Sequence, residues 1–169
     1  EKITTRQLLS HTAGMPLGDF TNIYAPGGTM PSSRGVLTEE AVVTRKPGTG
    51  FAYSNVGYNL LELLIEDVTG QSFSEYMRSE IFLPIGMESA AFDIDATTTP
   101  YPPTGYNLSG KPVPVYLYPS KASGGLFATA HDIARFAATS LRENPVLGVE
   151  SIEQMYQPES HKIGIYGLV

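Results

Sequence analysis

The sequence predicts a mainly α-helical chain with long loops and one small hairpin, and three observations lead to that expectation. Six segments have the features of helices, the longer ones with apolar residues at helical spacing. Clusters of glycine and proline separate these segments. Patterns typical of β-strands are confined to one short hairpin and the last few residues. The chain should therefore be rich in helices and should nearly lack the sheet on which they would pack.

The first predicted helix covers residues 6–11. Thr4 precedes it at capping-box spacing from a glutamine, so each side chain can satisfy a free backbone amide of the other. A loop over 16–37 follows, with four glycines and three prolines. A short helix is then expected over 39–44, with Thr38 as its N-cap.

The clearest predicted helix begins after Asn55. Gly70 lies where a glycine commonly terminates a helix. The next helix starts at Ser72, which has capping-box spacing with Glu75, and Pro84 stops it. The apolar face expected for the clearest helix comprises Val56, Leu60, Leu61, Leu64, Ile65 and Val68.

Residues 89–122 lack helical periodicity and are rich in proline, threonine and tyrosine. The segments 106–108 and 113–117 flank the pair Ser109-Gly110, which suits a turn, so a small hairpin is expected there. Two prolines near the second segment confine that strand to an edge, because proline cannot donate a ladder hydrogen bond.

A fifth helix is expected over 130–142, with Thr129 and Asp132 forming its cap. A short helix over 152–156 and a terminal segment, 163–169, follow. The terminal segment alternates glycine with apolar residues and is expected to be the first strand of a sheet. The buried face expected for the fifth helix comprises Ile133, Phe136, Ala137 and Leu141.

Composition excludes several classes of protein. The chain has 169 residues, the usual size of one domain, and its formal net charge of −6 lacks the basic excess of a nucleic-acid binder. No apolar run reaches the roughly 18 residues of a transmembrane helix. Cysteine is absent, which excludes disulfides and thiolate chemistry. His11, His131 and His161 form no metal-binding pair, so neither a metal nor another cofactor is expected.

The segment Tyr53-Ser54-Asn55 has two interpretations. A phenol can act as a general base when cationic neighbours favour its ionised form, and an asparagine can hold a substrate amide through both its donor and its acceptor. Alternatively, Asn55 or Ser54 simply caps the helix and Tyr53 packs against it. The three residues alone leave both interpretations open.

Five blocks are spread over nearly the whole chain: ITTRQLLSHTAGM (3–15), PGTGFAYSNVGY (47–58), FLPIGM (82–87), ASGGL with TAHDIARF (122–136), and YGL (166–168). In this order they resemble the serine β-lactamase and penicillin-binding-protein family, specifically its class C β-lactamase-like group. That group includes D-Ala-D-Ala peptidases, esterases and D-amino-acid amidases. Ile85 departs from the leucine that is usual at its position.

The resemblance implies an α+β fold of helices and an antiparallel sheet, and it implies roles for two residues. Tyr53 would be the general base or proton shuttle, and Asn55 would contact the substrate amide. The family's catalysis also needs an S-x-x-K box and a K-T-G or H-x-G box, and none occurs in the chain. The sequence also lacks an initiator Met. We therefore expect the central, largely helical part of a longer domain, with the nucleophile outside residues 1–169 and no hydrolysis by this chain alone.

Further residues have both functional and structural interpretations. Ser123 and Gly124 could line the substrate cleft, because glycine permits close approach of backbone to ligand, or could form a tight turn into the next helix. His11 is expected to be structural, and Ser54 to be a backbone-bonded residue at a helix start rather than a nucleophile. Asp132 is expected to favour its helix start through the macrodipole.

The expected function is that of a serine hydrolase acting on an amide or ester bond through an acyl-enzyme. The alternative is a non-catalytic binding or regulatory protein on the same fold. The partner of the full-length protein would be a small-molecule or peptide substrate rather than nucleic acid. The resemblance also implies a bacterial, extracytoplasmic location. Exposed apolar helix faces would favour self-association of the chain by itself.

Overall fold

A computed structural model describes residues 2–19, 21–94, 102–139, 141 and 144–157. It is mostly helical, with one two-stranded antiparallel sheet, as predicted. The terminal segment 163–169, expected to be a strand, lies outside the described residues. The elements are α1 (Thr5–Leu9), α2 (Ser33–Glu40), α3 (Asn55–Thr69), α4 (Phe73–Tyr76) with the π-helix Met77–Phe82 after it, β1 (Gly105–Tyr106), β2 (Pro112–Val113), α5 (Ala130–Thr139) and α6 (Val149–Met155).

The predicted capping box of α1 is present. The Gln7 backbone N–H donates to Thr4 Oγ1 at 3.2 Å, and the Thr4 N–H donates to Gln7 Oε1 at 3.0 Å. The helix is short and ends at Leu9, two residues earlier than expected. It packs against α3.

The prediction for α2 was wrong. The helix begins behind Ser32, whose side chain accepts the Gly35 N–H at 3.1 Å, and it ends at Glu40. Thr38 lies inside the helix, where its hydroxyl donates to the Arg34 carbonyl instead of capping. Gly35 made this segment resemble a loop, but the Ser32 cap and packing of α2 on α3 outweigh its low helix propensity.

Helix α3 is confirmed, with Ser54 as N-cap and Gly70 as a left-handed C-cap residue at φ 70°. Its apolar face differs from the prediction. Val68 is 77% exposed, and Leu64 is also exposed. The carboxylate-bearing Glu62 is buried instead.

Two hydrophobic cores lie on either side of α3. The first core contains Leu8, Ala13, Met15, Leu37, Val56, Leu61 and Leu63. The second core contains Phe73, Phe82, Ile85, Met87, Ala90 and Phe92. Since Ile65 of α3 packs on the second core, this helix contacts both.

The segment after α3 carries the predicted capping box of Ser72 and Glu75. The helix that follows changes to π geometry over Met77–Phe82 and ends before Pro84. The predicted hairpin is present but shorter than expected. Gly105 pairs with Val113 and Tyr106 with Pro112, around a turn that contains Ser109-Gly110.

Helix α5 has the predicted cap but not the predicted burial. The Asp132 N–H donates to Thr129 Oγ1 at 3.1 Å, and the Thr129 N–H donates to Asp132 Oδ2 at 2.8 Å. The expected buried face is exposed throughout, because no other described element packs on it: Ile133, Phe136, Ala137 and Leu141 are all exposed. Helix α6 begins at Val149, behind Gly148, three residues earlier than expected. No described helix has the length and apolarity needed to cross a bilayer.

Candidate active site

The segment Tyr53-Ser54-Asn55 joins a loop to the start of α3, and its central residue anchors it. Ser54 Oγ accepts the Gly57 N–H at 2.9 Å and donates to the Pro16 carbonyl at 2.6 Å. The Ser54 hydroxyl therefore uses both its donor and an acceptor position in hydrogen bonds to the backbone. This confirms the expectation that Ser54 is a backbone-bonded residue at the helix start.

His11 holds the same segment from the opposite side. Its Nδ1 accepts the Ser54 N–H at 3.1 Å, and its carbonyl accepts the Ala52 N–H at 2.8 Å. The imidazole is 4% exposed, and burial lowers its pKa from the ordinary value. The expected structural role is present, and its target is the Y-x-N segment itself.

Tyr53 lies at the surface end of the segment. Its ring contacts the His11 ring with centroids 4.4 Å apart, and the side chain is 49% exposed. One face of the phenol is thus supported while the rest remains accessible to a ligand.

A cavity of about 120 Å³ lies beside the start of α3. Asn55 lines it together with Ser123 and Gly124, which come from a distant part of the chain. Three of the four residues predicted for the site are therefore brought to one cavity. Tyr53 is two residues away along the chain and is not part of the lining.

The wall that carries Ser123 and Gly124 is a tight turn. The N–H groups of Gly124 and Gly125 both donate to the Lys121 carbonyl, at 3.2 and 2.8 Å. A Cβ at Gly125 would lie 3.0 Å from Lys121 Cα, so the turn leaves no room for a side chain there. The segment is thus a tight turn, and its residues Ser123 and Gly124 line the cavity; that this cavity is the substrate cleft stays a prediction.

Glu62 fixes this turn from α3. Its Oε2 accepts the backbone N–H groups of Lys121 at 2.6 Å and Ala122 at 2.9 Å, and the Ser33 hydroxyl adds a third hydrogen bond. Ser33 Oγ also lies 2.8 Å from Ser120 Oγ. Burial raises the pKa of Glu62 above its ordinary value, while the hydrogen bonds oppose that rise.

Sequence reasoning missed several residues of this site. Asn59 and Glu62 lie one and two turns after Asn55 on the same face of α3. Asn59 lines the cavity with a buried Oδ1 that has no hydrogen-bond partner among the described residues. The available signal was three polar residues at helical spacing along a mainly apolar stretch of α3. Asp19 and Glu40 also line the cavity, and burial raises the pKa of Glu40.

Metal chemistry finds no support among the described residues, where no group of three potential metal ligands occurs. The described part of the site offers an exposed phenol, amide side chains, a backbone turn and the carboxylates of Asp19 and Glu40. Such groups can orient a polar substrate and move a proton.

Comparisons with known proteins identify the family of the chain. The family model for Beta-lactamase matches residues 1–163, so the chain belongs to the β-lactamase family. It is 27% identical over 164 residues to the "Putative penicillin-binding protein PbpX" of Bacillus subtilis (strain 168), covering 95% of this chain and 40% of that protein. The resemblance to serine β-lactamases and penicillin-binding proteins is thereby confirmed.

Solved structures show the same fold. The penicillin-binding protein from Bacillus halodurans has a TM-score of 0.78 at 25% identity, over 96% of this chain and 53% of that one. The octameric penicillin-binding protein homologue from Pyrococcus abyssi has a TM-score of 0.74 at 28% identity, over 94% and 39%. The chain therefore spans about two fifths to one half of these relatives' lengths.

Proposed function

We propose that the full-length protein is a serine hydrolase that cleaves an amide or ester bond through an acyl-enzyme. The observation that carries the proposal is the convergence of Asn55 with Ser123 and Gly124 on one cavity, with the accessible phenol of Tyr53 two residues before Asn55 in the chain. Membership of the β-lactamase family supports the reaction type.

The proposed reaction needs a group that holds the substrate, a cavity wall and a group that transfers the proton. The Asn55 side chain holds the substrate amide, since it offers one acceptor and two donors. Ser123 and Gly124 form the cavity wall opposite it. Tyr53 relays the proton between the nucleophile and the leaving group.

The covalent chemistry needs a serine that residues 1–169 do not supply in an S-x-x-K box. In the full-length protein the serine oxygen forms an ester with the acyl group of the substrate, and the amine or alcohol leaves with the relayed proton. Water then hydrolyses the ester and regenerates the serine. The 169-residue chain alone should form no acyl-enzyme.

The test is the intact mass of the full-length protein after exposure to a fluorophosphonate, with the 169-residue chain alongside. The proposal expects one adduct on the full-length protein and none on the chain. Tyr53→Phe should slow adduct formation by about 10²–10⁴-fold, the usual contribution of a proton-transferring side chain. Tyr156→Phe, an exposed tyrosine of α6, is the matched control and should react normally.

An adduct on the chain alone would refute the proposal, because it would place an activated serine within residues 1–169. If the full-length protein reacts with neither the fluorophosphonate nor a penicillin-type acylating probe, the non-catalytic binding protein becomes the better explanation. The non-catalytic binding protein is considered because the present sequence contains no S-x-x-K box.

A further inference from the structure

His11 has a backbone conformation that needs an explanation. At φ 55° it is the one non-glycine residue in the left-handed region among the residues that the structure describes. L-residues enter this region seldom, and they persist there when the surrounding structure over-determines the conformation. The backbone of His11 is therefore held by its contacts rather than by its own preference.

Two polar contacts of His11 are with residues 52–54, and its own N–H donates to the Leu8 carbonyl. The Ala52 N–H binds the His11 carbonyl, and the Ser54 N–H binds Nδ1. A backbone N–H can only donate, so Nδ1 must be the unprotonated nitrogen and the neutral ring carries its proton on Nε2. The two bonds flank Tyr53 and fix the backbone on both sides of it.

Three aromatic rings contact the His11 ring, those of Phe51, Tyr53 and Tyr58. The His11 ring lies 4.4 Å from the Tyr53 ring at 32° and 5.1 Å from the Tyr58 ring at 30°, so the imidazole contacts both phenols. Among the described residues, His11 is the aromatic group that contacts Tyr53. The side chain that supports the phenol and the side chain that fixes its backbone are thus one and the same.

We propose that His11 is the positioning residue of Tyr53: the neutral imidazole holds the 52–54 backbone through Nδ1 and supports the phenol through its ring, so that the phenolic oxygen occupies one place. The proposal builds on the proposed function, in which that oxygen relays a proton. A proton-transfer group that is displaced by about 1 Å can lose about 10²-fold in rate, so this support should be visible in kinetics.

If His11 only filled space, a substitution that keeps its volume would leave the inactivation rate unchanged. Leucine would fill the volume at position 11, but it would leave the Ser54 N–H unpaired. Asparagine would remove the ring and keep the acceptor, because its Oδ1 is bonded through Cγ as Nδ1 is. Asparagine also tolerates positive φ. His11→Asn and His11→Leu therefore separate the polar role from space filling.

The experiment uses the full-length protein with a fluorophosphonate as the probe. Inactivation is measured against probe concentration, which separates the limiting rate constant from probe affinity. Tyrosine carrying ¹³C in its ring reports the environment of Tyr53 by NMR, with the signal assigned through Tyr53→Phe. Tyr58→Phe is the matched control, because it keeps the second ring against His11 and removes only the hydroxyl that bonds the Leu9 carbonyl.

His11→Leu should lower the limiting rate constant by about tenfold or more, with probe affinity little changed, and should move the Tyr53 signal. His11→Asn should recover part of that loss, and Tyr58→Phe should behave like the unmodified protein. Equal rates in the unmodified protein and in folded His11→Leu, with an unmoved Tyr53 signal, would overturn the proposal. So would His11→Asn and His11→Leu being equally impaired.

A measurement on the unmodified protein keeps the proposal falsifiable if His11→Leu fails to fold. Rings at 4.4 Å must give a nuclear Overhauser effect between His11 and Tyr53, and its absence would refute the contact. The two proposals fail differently. Full activity of Tyr53→Phe removes the proton relay, whereas an unmoved Tyr53 signal in folded His11→Leu removes the positioning role.

Discussion

Replacing Glu62 by alanine tests how the wall of the cavity is held. The structure assigns to its Oε2 the two backbone N–H groups of Lys121 and Ala122, and the Ser33 hydroxyl bonds the same carboxylate. Glu62→Ala leaves both amides without this acceptor. The wall that carries Ser123 and Gly124 would then lose its fixed link to α3.

The loss of folding stability in Glu62→Ala depends on how many backbone N–H groups the substitution leaves without an acceptor. A fully buried N–H without a partner costs about 1–3 kcal/mol, and these two are part-buried, so Glu62→Ala should lower the free energy of unfolding by at most about 2–6 kcal/mol. Glu62→Gln should lose much less, about 1–2 kcal/mol, because one carbonyl oxygen in place of Oε2 can still accept both N–H groups. Since domains are stable by only about 5–15 kcal/mol, the alanine variant should be close to unfolding.

The contribution of Glu62 to folding stability should change with pH in a definite direction. Burial raises the folded-state pKa of Glu62 above its ordinary value of 4.5, so at pH values between the two pKa values the folded state holds a proton that the unfolded chain has lost. The contribution of Glu62 to stability is therefore full below pH 4.5 and falls as pH rises through the folded-state pKa. Glu62→Gln, which carries no titrating proton, should remove this downward slope.

The assay is urea unfolding of the full-length protein at several pH values, followed by far-ultraviolet circular dichroism. Glu153→Gln, an exposed glutamate of α6, controls for the loss of one negative charge. If Glu62→Ala costs no more than the control, the carboxylate does not hold the turn and the reasoning fails. A slope that survives in Glu62→Gln would show that another group titrates.

Two further predictions concern stability. Hydrogen bonds from Thr129 and the Ser89 N–H outweigh burial and lower the pKa of Asp132, so its stabilisation is present above its ordinary value of 3.8 and is lost as pH falls. Asp132→Asn should cost about 1–3 kcal/mol in urea unfolding at pH 7 and flatten that acid loss; no difference from the unmodified protein at pH 7 would contradict this. Gly14→Ala should cost roughly 2–4 kcal/mol in the same assay, because its Cβ would lie 2.2 Å from the Arg45 carbonyl oxygen at φ 72°. Gly110→Ala has a similar φ of 74° and open space, so equal costs would show that the clash is relieved.

Local signals were sufficient to predict much of the fold. The caps at Thr4, Ser54, Ser72 and Thr129 depend on residues three positions apart, and the structure shows each of them. The start of α2 was missed although Ser32 is such a cap, because Gly35 lowers the helix propensity of the segment. Its formation depends on packing against α3, which one segment of sequence does not reveal.

The site was predictable where the family blocks name its residues and not where tertiary contacts define them. Asn55, Ser123 and Gly124 were found through the blocks, and their shared cavity is a result of folding. Glu62 was missed because its partners are backbone amides about sixty positions away, and backbone groups leave no trace in a sequence. The apolar face of α5 was misjudged because periodicity identifies a face without identifying what covers it.

The backbone at positions 121 and 122 belongs to two structural units at once. Its amides bind Glu62 on α3, while the Ala122 side chain packs on the second core and Lys121 Nζ bonds Ser74 and Asp93. The distance between Asn55 and Ser123 is therefore set partly by residues that never approach a ligand. Under the proposed function, substitutions among Phe73, Phe82 and Phe92 should change which substrates fit, so a search for altered specificity has as much reason to sample that aromatic cluster as the cavity lining.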